Sequence, residues 1–207
     1  VKGDTLFIAY TAFGASTGDA DSARINLKYS LDKGMTWSTQ STAVAPAGTG
    51  VYNPSMYLNG ANQIVMLYLR KNTSTTGQIY KTVRTGGTWS TPASIYGDGT
   101  GYYAPSADRI FKTKQGRLLY PFNVNTNGTL TSATGNYRGF MLTSVDDGTT
   151  WTHAATINIG SPDSLCAEPG VFQVDNLTAP IYYYYRTRSG DVYYTQADST
   201  GISAPNS

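Results

Sequence analysis

Short runs in which apolar and polar residues alternate, bounded by Gly, Pro, Asn or Ser, recur along the whole chain and predict strands of about four to eight residues. "YNPSMYLN" from residue 52, "YAPSADRIF" from 103 and "AEPGVFQV" from 167 each place a proline near the head of such a strand. A second strand follows each of them, "QIVMLYLR", "GRLLYPFN" and "PIYYYYR". A third is read in "RINLKYS", "GQIYKTV" and "RGFMLTS", with a short fourth behind it. No long stretch carries the 3.6-residue period of a helix, so the fold class predicted is all-β. In "YYYY" at 182–185 alternation puts half of the rings in the core and half against a neighbour.

The turn between third and fourth strands carries a repeat. "SLDKGMTW" at 30–37 returns as "SVDDGTTW" at 144–151, and a worn copy, "RTGGTWS", places Trp89 52 residues after Trp37 and 62 before Trp151. That spacing is the length of a propeller blade. In a hairpin of this kind the Asp accepts backbone N–H groups, the Gly supplies a positive φ, and the Trp packs the turn onto the sheet. Asp32 and Asp146 are therefore expected to be scaffold on an outer rim rather than catalytic groups. A four-stranded blade has a face it cannot bury alone, so blades stack around an axis. The chain is predicted to form a β-propeller of about four such antiparallel blades, roughly 1–48, 49–98, 99–160 and 161–207, with any open edge covered by a partner chain or a further segment.

Composition narrows the chemistry. With 15 Lys and Arg against 13 Asp and Glu the net charge is +2, too little for the broad cationic field that binds nucleic acid. One cysteine, Cys166, and one histidine, His153, make neither an internal disulfide nor a zinc site, so no metal and no cofactor are predicted. No apolar run reaches the ~18 residues of a membrane-spanning helix. The chain begins without Met, inside the predicted strand "DTLFIAY", and reads as a piece of a larger domain.

Superposing the repeats on their prolines puts Asn53, Ala104 and Glu168 at one position and Arg70, Asn123 and Arg186 at another. If the proline-headed strand is innermost, these positions ring one mouth of the axis, as a glycan pocket requires. The same ring is also what inner strands need beside a wet channel.

Blade-spaced boxes, "GDADSARINLKYSLDKGMTW" early and "EPGVFQ" followed by "YYYYRTRSG" late, are similar to the sialidase (neuraminidase) superfamily over almost the whole chain. The resemblance implies a six-bladed propeller, four blades of it present here, and a retaining exo-sialidase acting on sialylated glycans, extracellular or on the cell surface. It implies a general acid at Asp19, with Asp21 as its neighbour and rival, and equally "GDADS" reads as a solvated hairpin tip. It implies a Glu at Glu168 that polarises a Tyr nucleophile, and one of three carboxylate-binding arginines at Arg186. The Tyr and the other two arginines find no match within the chain, and Arg70 matches none of the three, so Arg70 and Asn53 stay as substrate-binding candidates from the internal repeat alone. The alternatives are a glycan-binding propeller without catalysis and a related hydrolase acting on another sugar.

Overall fold

The structure is a computed structural model and describes residues 3–14, 22–125, 137–157, 166–174, 180–187 and 190–197. Its strands fall into four antiparallel units in chain order. The first is β1 (Leu6–Phe13), β2 (Ala23–Ser30) and β3 (Ser41–Val44). The second is β4 (Gly50–Leu58), β5 (Ile64–Lys71) and β6 (Gly77–Thr85), with the short β7 (Thr88–Trp89) and β8 (Ala93–Tyr96) both on β6. The third is β9 (Tyr102–Pro105), β10 (Phe111–Lys112), β11 (Leu118–Asn125), β12 (Tyr137–Ser144) and β13 (Thr152–Ile157). The fourth is β14 (Ala167–Gln173), β15 (Ile181–Arg186) and β16 (Val192–Ala197). The second and third units touch in one sheet through a single parallel pair, Gly77 with Tyr102. No helix and no closed sheet occurs among the described residues.

Three apolar clusters join the units in sequence. Ile25, Leu27 and Val44 of the first meet Val51, Met66 and Tyr68 of the second. Val65, Leu67 and Ile79, on the other face of the second, meet Tyr120, Phe122, Val124 and Leu142 of the third. Leu119 and Met141 turn to the fourth unit and pack with Val171, Ile181, Tyr183 and Tyr185. The two middle units are thus buried on both faces, which is why "IVMLYL" and "LLYPF" are nearly continuous apolar runs. Cys166 lies buried in the last cluster, and desolvation pushes its thiol pKa up to about 12.

The repeated boxes are turn scaffolds, as the sequence predicts. Asp32 accepts from Ser30 Oγ at 2.7 Å, the Thr36 N–H at 2.8 Å and Thr36 Oγ1 at 2.6 Å, and Ser30 Oγ accepts from the Gly34 N–H at 2.8 Å. Asp146 repeats the pattern with Ser144, Thr150 and Gly148. Those hydrogen bonds, led by the threonine's, hold both carboxyls at a pKa of about 2.

The proline-headed strands differ from one another more than the sequence implies. In β4 and β14 the register shifts at Asn53–Pro54 and Glu168–Pro169, and Asn53 (φ +54°) and Glu168 (φ +52°) are both left-handed. Each is a β-bulge with a non-glycine residue in a sparsely populated conformation. Ala104 pairs regularly with Asn123 and is not their equivalent. "YAPSADRIF" instead breaks after Pro105, because Asp108 turns left-handed (φ +53°) and its N–H donates to Pro54 O at 3.0 Å.

Candidate functional site

The site is built at the end of the units opposite the boxes. Ser30 and Ser144 close the box ends of β2 and β12, whereas Phe13, Lys71, Asn125 and Arg186 end their strands at the other rim. There the Tyr52, Leu69, Tyr102 and Ala23 cluster joins the first three units, and the buried Lys71 Nζ stands 4.4 Å from the Tyr52 ring centroid. Tyr102 and Tyr103 are packing residues here, Tyr103 also donating to Asp98 at 3.1 Å in the "GDGTG" turn.

Glu168 and Arg186 come together as the sequence predicts. Ala167 pairs with Arg186 across β14 and β15, so the bulge that follows Ala167 swings Glu168 beside the arginine. Arg186 Nε donates to Glu168 Oε2 at 3.2 Å and Nη2 to Oε1 at 3.1 Å, a two-point fork. The Glu168 and Arg186 side chains stay 59% and 42% exposed, open to a ligand. The hydrogen bonds from Arg186 lower the Glu168 pKa against a desolvation that raises it, and the charges of Arg186 and Arg109 add to the lowering. Glu168 is an ionised carboxylate near neutral pH, suited to accept a proton rather than to give one.

The remaining candidates separate. Asn53 is spent inside the fold: its N–H donates to Thr11 Oγ1 at 3.1 Å and its Nδ2 to Pro105 O at 2.9 Å, tying the first and third units to the second. Arg70 is not the equivalent of Arg186. Leu69, paired with Tyr52, holds that register position, and Arg70, paired with Val51, turns to the other face. Its guanidinium lies 5.1 Å from the Tyr80 ring centroid, within its own unit, and its Nε is buried without a hydrogen-bond partner. By the same register Asn123 is displaced from the position it was expected to share. Asp19 and Asp21 lie outside the described residues, while the strands that flank them, ending at Phe13 and starting at Ala23, meet at this rim. Clefts of about 190 Å³ beside Met56 and Tyr57, and about 280 Å³ beside Arg117 and Thr150, contain neither Glu168 nor Arg186. The second cleft is lined in part by Ser144 and Thr150, which are already engaged in their turn.

Sequence reasoning missed Arg109, the second cation acting on Glu168. The signal available was a charged "DR" inside a strand otherwise read as an inner one. Among the described residues no group of His, Cys, Asp and Glu is arranged to hold a metal, and no helix is long and apolar enough to cross a membrane.

The model of the BNR repeat-like domain matches residues 4–203. No curated protein sequence matches the chain. Among solved structures, the Hadza microbial sialidase Hz136 superposes with a TM-score of 0.74 at 17% identity, over 94% of this chain and 42% of that one. Trypanosoma rangeli sialidase gives 0.72 at 18%, over 94% and 34%. A protein of unknown function from Dyadobacter fermentans gives 0.73 at 14%, over 99% and 65%. The chain therefore spans well under half the length of the sialidases it resembles, and at these identities the likeness is one of fold.

Proposed function

This chain belongs to the BNR repeat-like domain family, and from that premise we propose that its four units are consecutive blades of a six-bladed β-propeller, part of a retaining sialidase-like glycoside hydrolase acting on sialylated glycans outside the cell or at its surface. The observation that carries the reading is the Glu168–Arg186 pair, set by a left-handed bulge at the rim opposite the boxes.

The chemistry suits these residue types. A sialic acid bears a carboxylate on its reacting carbon, which repels a carboxylate nucleophile, so a neutral Tyr hydroxyl attacks once a base takes its proton. Glu168, kept ionised by Arg186, is that base in this proposal. Arg186 gives Nε and Nη2 to Glu168 and keeps Nη1 for the sugar's carboxylate. Asp19 is the general acid, with Asp21 raising its pKa as a nearby like charge. Asn53 and Arg70 stay outside the pocket in this proposal, Asn53 tying the units together through Thr11 and Pro105 and Arg70 packing on Tyr80.

The test is release of a chromogenic sialoside by the full-length protein and its Glu168→Gln variant, with glycan binding measured in parallel. The amide is isosteric but a poor proton acceptor, so turnover should fall by ~10²–10⁴-fold while binding survives. Unchanged hydrolysis removes Glu168 from the mechanism. An intact parent that binds sialylated glycan without hydrolysing it makes the domain a binding propeller instead.

A further inference from the structure

The segment 106–110, between β9 and β10, interrupts the one proline-headed strand that lacks a left-handed residue before its proline. It is held at both ends of a span. On one side the Asp108 N–H donates to Pro54 O at 3.0 Å and the Arg109 N–H donates to the buried Ser55 Oγ at 3.0 Å, both at the bulge of the second unit. On the other side the Arg109 guanidinium reaches the fourth unit, with Cζ 5.7 Å from the centroid of the Tyr184 ring.

Tyr184 and Arg186 are two residues apart on β15 and share a face. Tyr184 sits opposite Gly170, and a Cβ at Gly170 would overlap its ring, so the ring lies across the inner strand directly after the Glu168–Pro169 bulge. Arg109 Nε is buried without a hydrogen-bond partner, and no described residue forms an ion pair with the side chain. A buried N–H without an acceptor is unfavourable, and the contact of the half-buried guanidinium with the Tyr184 ring offsets part of that cost.

We propose that Arg109 is a positioning residue of the candidate site: by pinning the Tyr184 ring over Gly170 it fixes the bulge that aims Glu168, and it sets a second cation beside the Glu168–Arg186 pair. It is none of the arginines that the sialidase resemblance assigns to substrate. The role rests on Glu168 being the site's working carboxylate. Among the described residues, Arg186 from β15 and Arg109 from the 106–110 segment are the charged groups that act on that carboxylate.

The experiment compares full-length parent, Arg109→Met and Arg109→Lys by the pH profile of kcat/KM on a chromogenic sialoside, alongside NMR titration of the Glu168 carboxyl carbon. Removing the cation should move the acid limb to higher pH and lower kcat on the order of 10- to 100-fold, as for a misplaced catalytic group, with KM near the parent's. Lys should restore the limb but not the whole of kcat, because an ammonium cannot stack as a planar guanidinium does. A purely structural arginine would lower Tm and leave the limb in place, which overturns the proposal, as does a Met profile superimposable on the parent's. If Arg109→Met does not fold, Ser55→Ala, which frees the segment's anchor, should lower kcat in the same direction by less, and an unaltered kcat there counts against it. A parent without hydrolysis sinks the sialidase reading alone. The titration then decides for Arg109: a higher Glu168 pKa in the Met or Ala variant sustains the role, and an unmoved one ends it.

Discussion

Asn53 and Glu168 occupy the same backbone device with opposite results. Each precedes a proline, each is left-handed within a few degrees of φ +53°, and each opens a bulge in the proline-headed strand of its unit. Asn53 lies in a unit flanked on both sides, and its N–H and Nδ2 are consumed by Thr11 and Pro105 of the flanking units. Among the described residues Glu168 finds a hydrogen-bond partner only in Arg186 of its own unit, and it remains exposed. The bulge aims a side chain at the rim, and the neighbours decide whether that side chain is glue or is left for a ligand.

The comparison breaks most visibly under paired substitution. Glu168→Gln should cost the ~10²–10⁴-fold in turnover of a lost general base with Tm almost unmoved, since an exposed ion pair contributes about 0–1 kcal/mol. Asn53→Ala should do the reverse, destabilising the fold by ~1–3 kcal/mol through the stranded Pro105 carbonyl and the left-handed backbone that Ala tolerates poorly, seen as a lower urea midpoint at unchanged m. Equal loss of stability in both variants would erase the distinction between the two bulges.

Next in size is Gly170→Ala, which drives a methyl into the Tyr184 ring and should cost ~1–3 kcal/mol as overpacking. If the ring is what steadies the bulge, this variant also loses turnover, whereas an equivalent small-to-large change away from the rim loses stability alone.

The smallest effect separates rim from boxes. Asp32 and Asp146 have folded pKa values lowered from 3.8 to about 2, so their contribution is complete above pH ~4 and is lost as pH falls through about 2. Glu168 is also lowered, and its contribution disappears in the same direction on acidification. Asp146→Asn should flatten the fall of Tm between pH 4 and 2 slightly, without touching turnover at neutral pH. The second box also answers to the unit beside it, since Lys81 Nζ donates to Gly148 O at 2.7 Å and Tyr57 OH to Asp147 O at 3.3 Å. Asp146→Asn should therefore lower Tm more than Asp32→Asn, whose box leaves Met35 86% exposed.

Much of this was legible in the sequence for a physical reason. Strands bounded by turn residues, and boxes whose Ser, Asp, Gly and Thr bond one another, are local features, and local features are written contiguously. The Glu168–Arg186 contact was readable because Glu168 immediately precedes a proline and Arg186 closes its strand. Arg70 was misplaced because β4 and β14 carry the same bulge but join their partner strands over different lengths, Ile64 following Leu58 by six residues and Ile181 following Gln173 by eight, so matching the two arginines by their strand ends slips the register by one. The break at Asp108 and the role of Arg109 were invisible, since both depend on Pro54 and Ser55, about fifty residues away in sequence and met only when the units stack.

The burial of Cys166 between the third and fourth units makes it a built-in clock for their separation. A buried thiol with its pKa pushed up to about 12 reacts slowly with an alkylating reagent, and excursions that part that interface expose it. Labelling kinetics at this single sulfur therefore report how often Glu168, two residues further along, loses the surface that holds its strand in place.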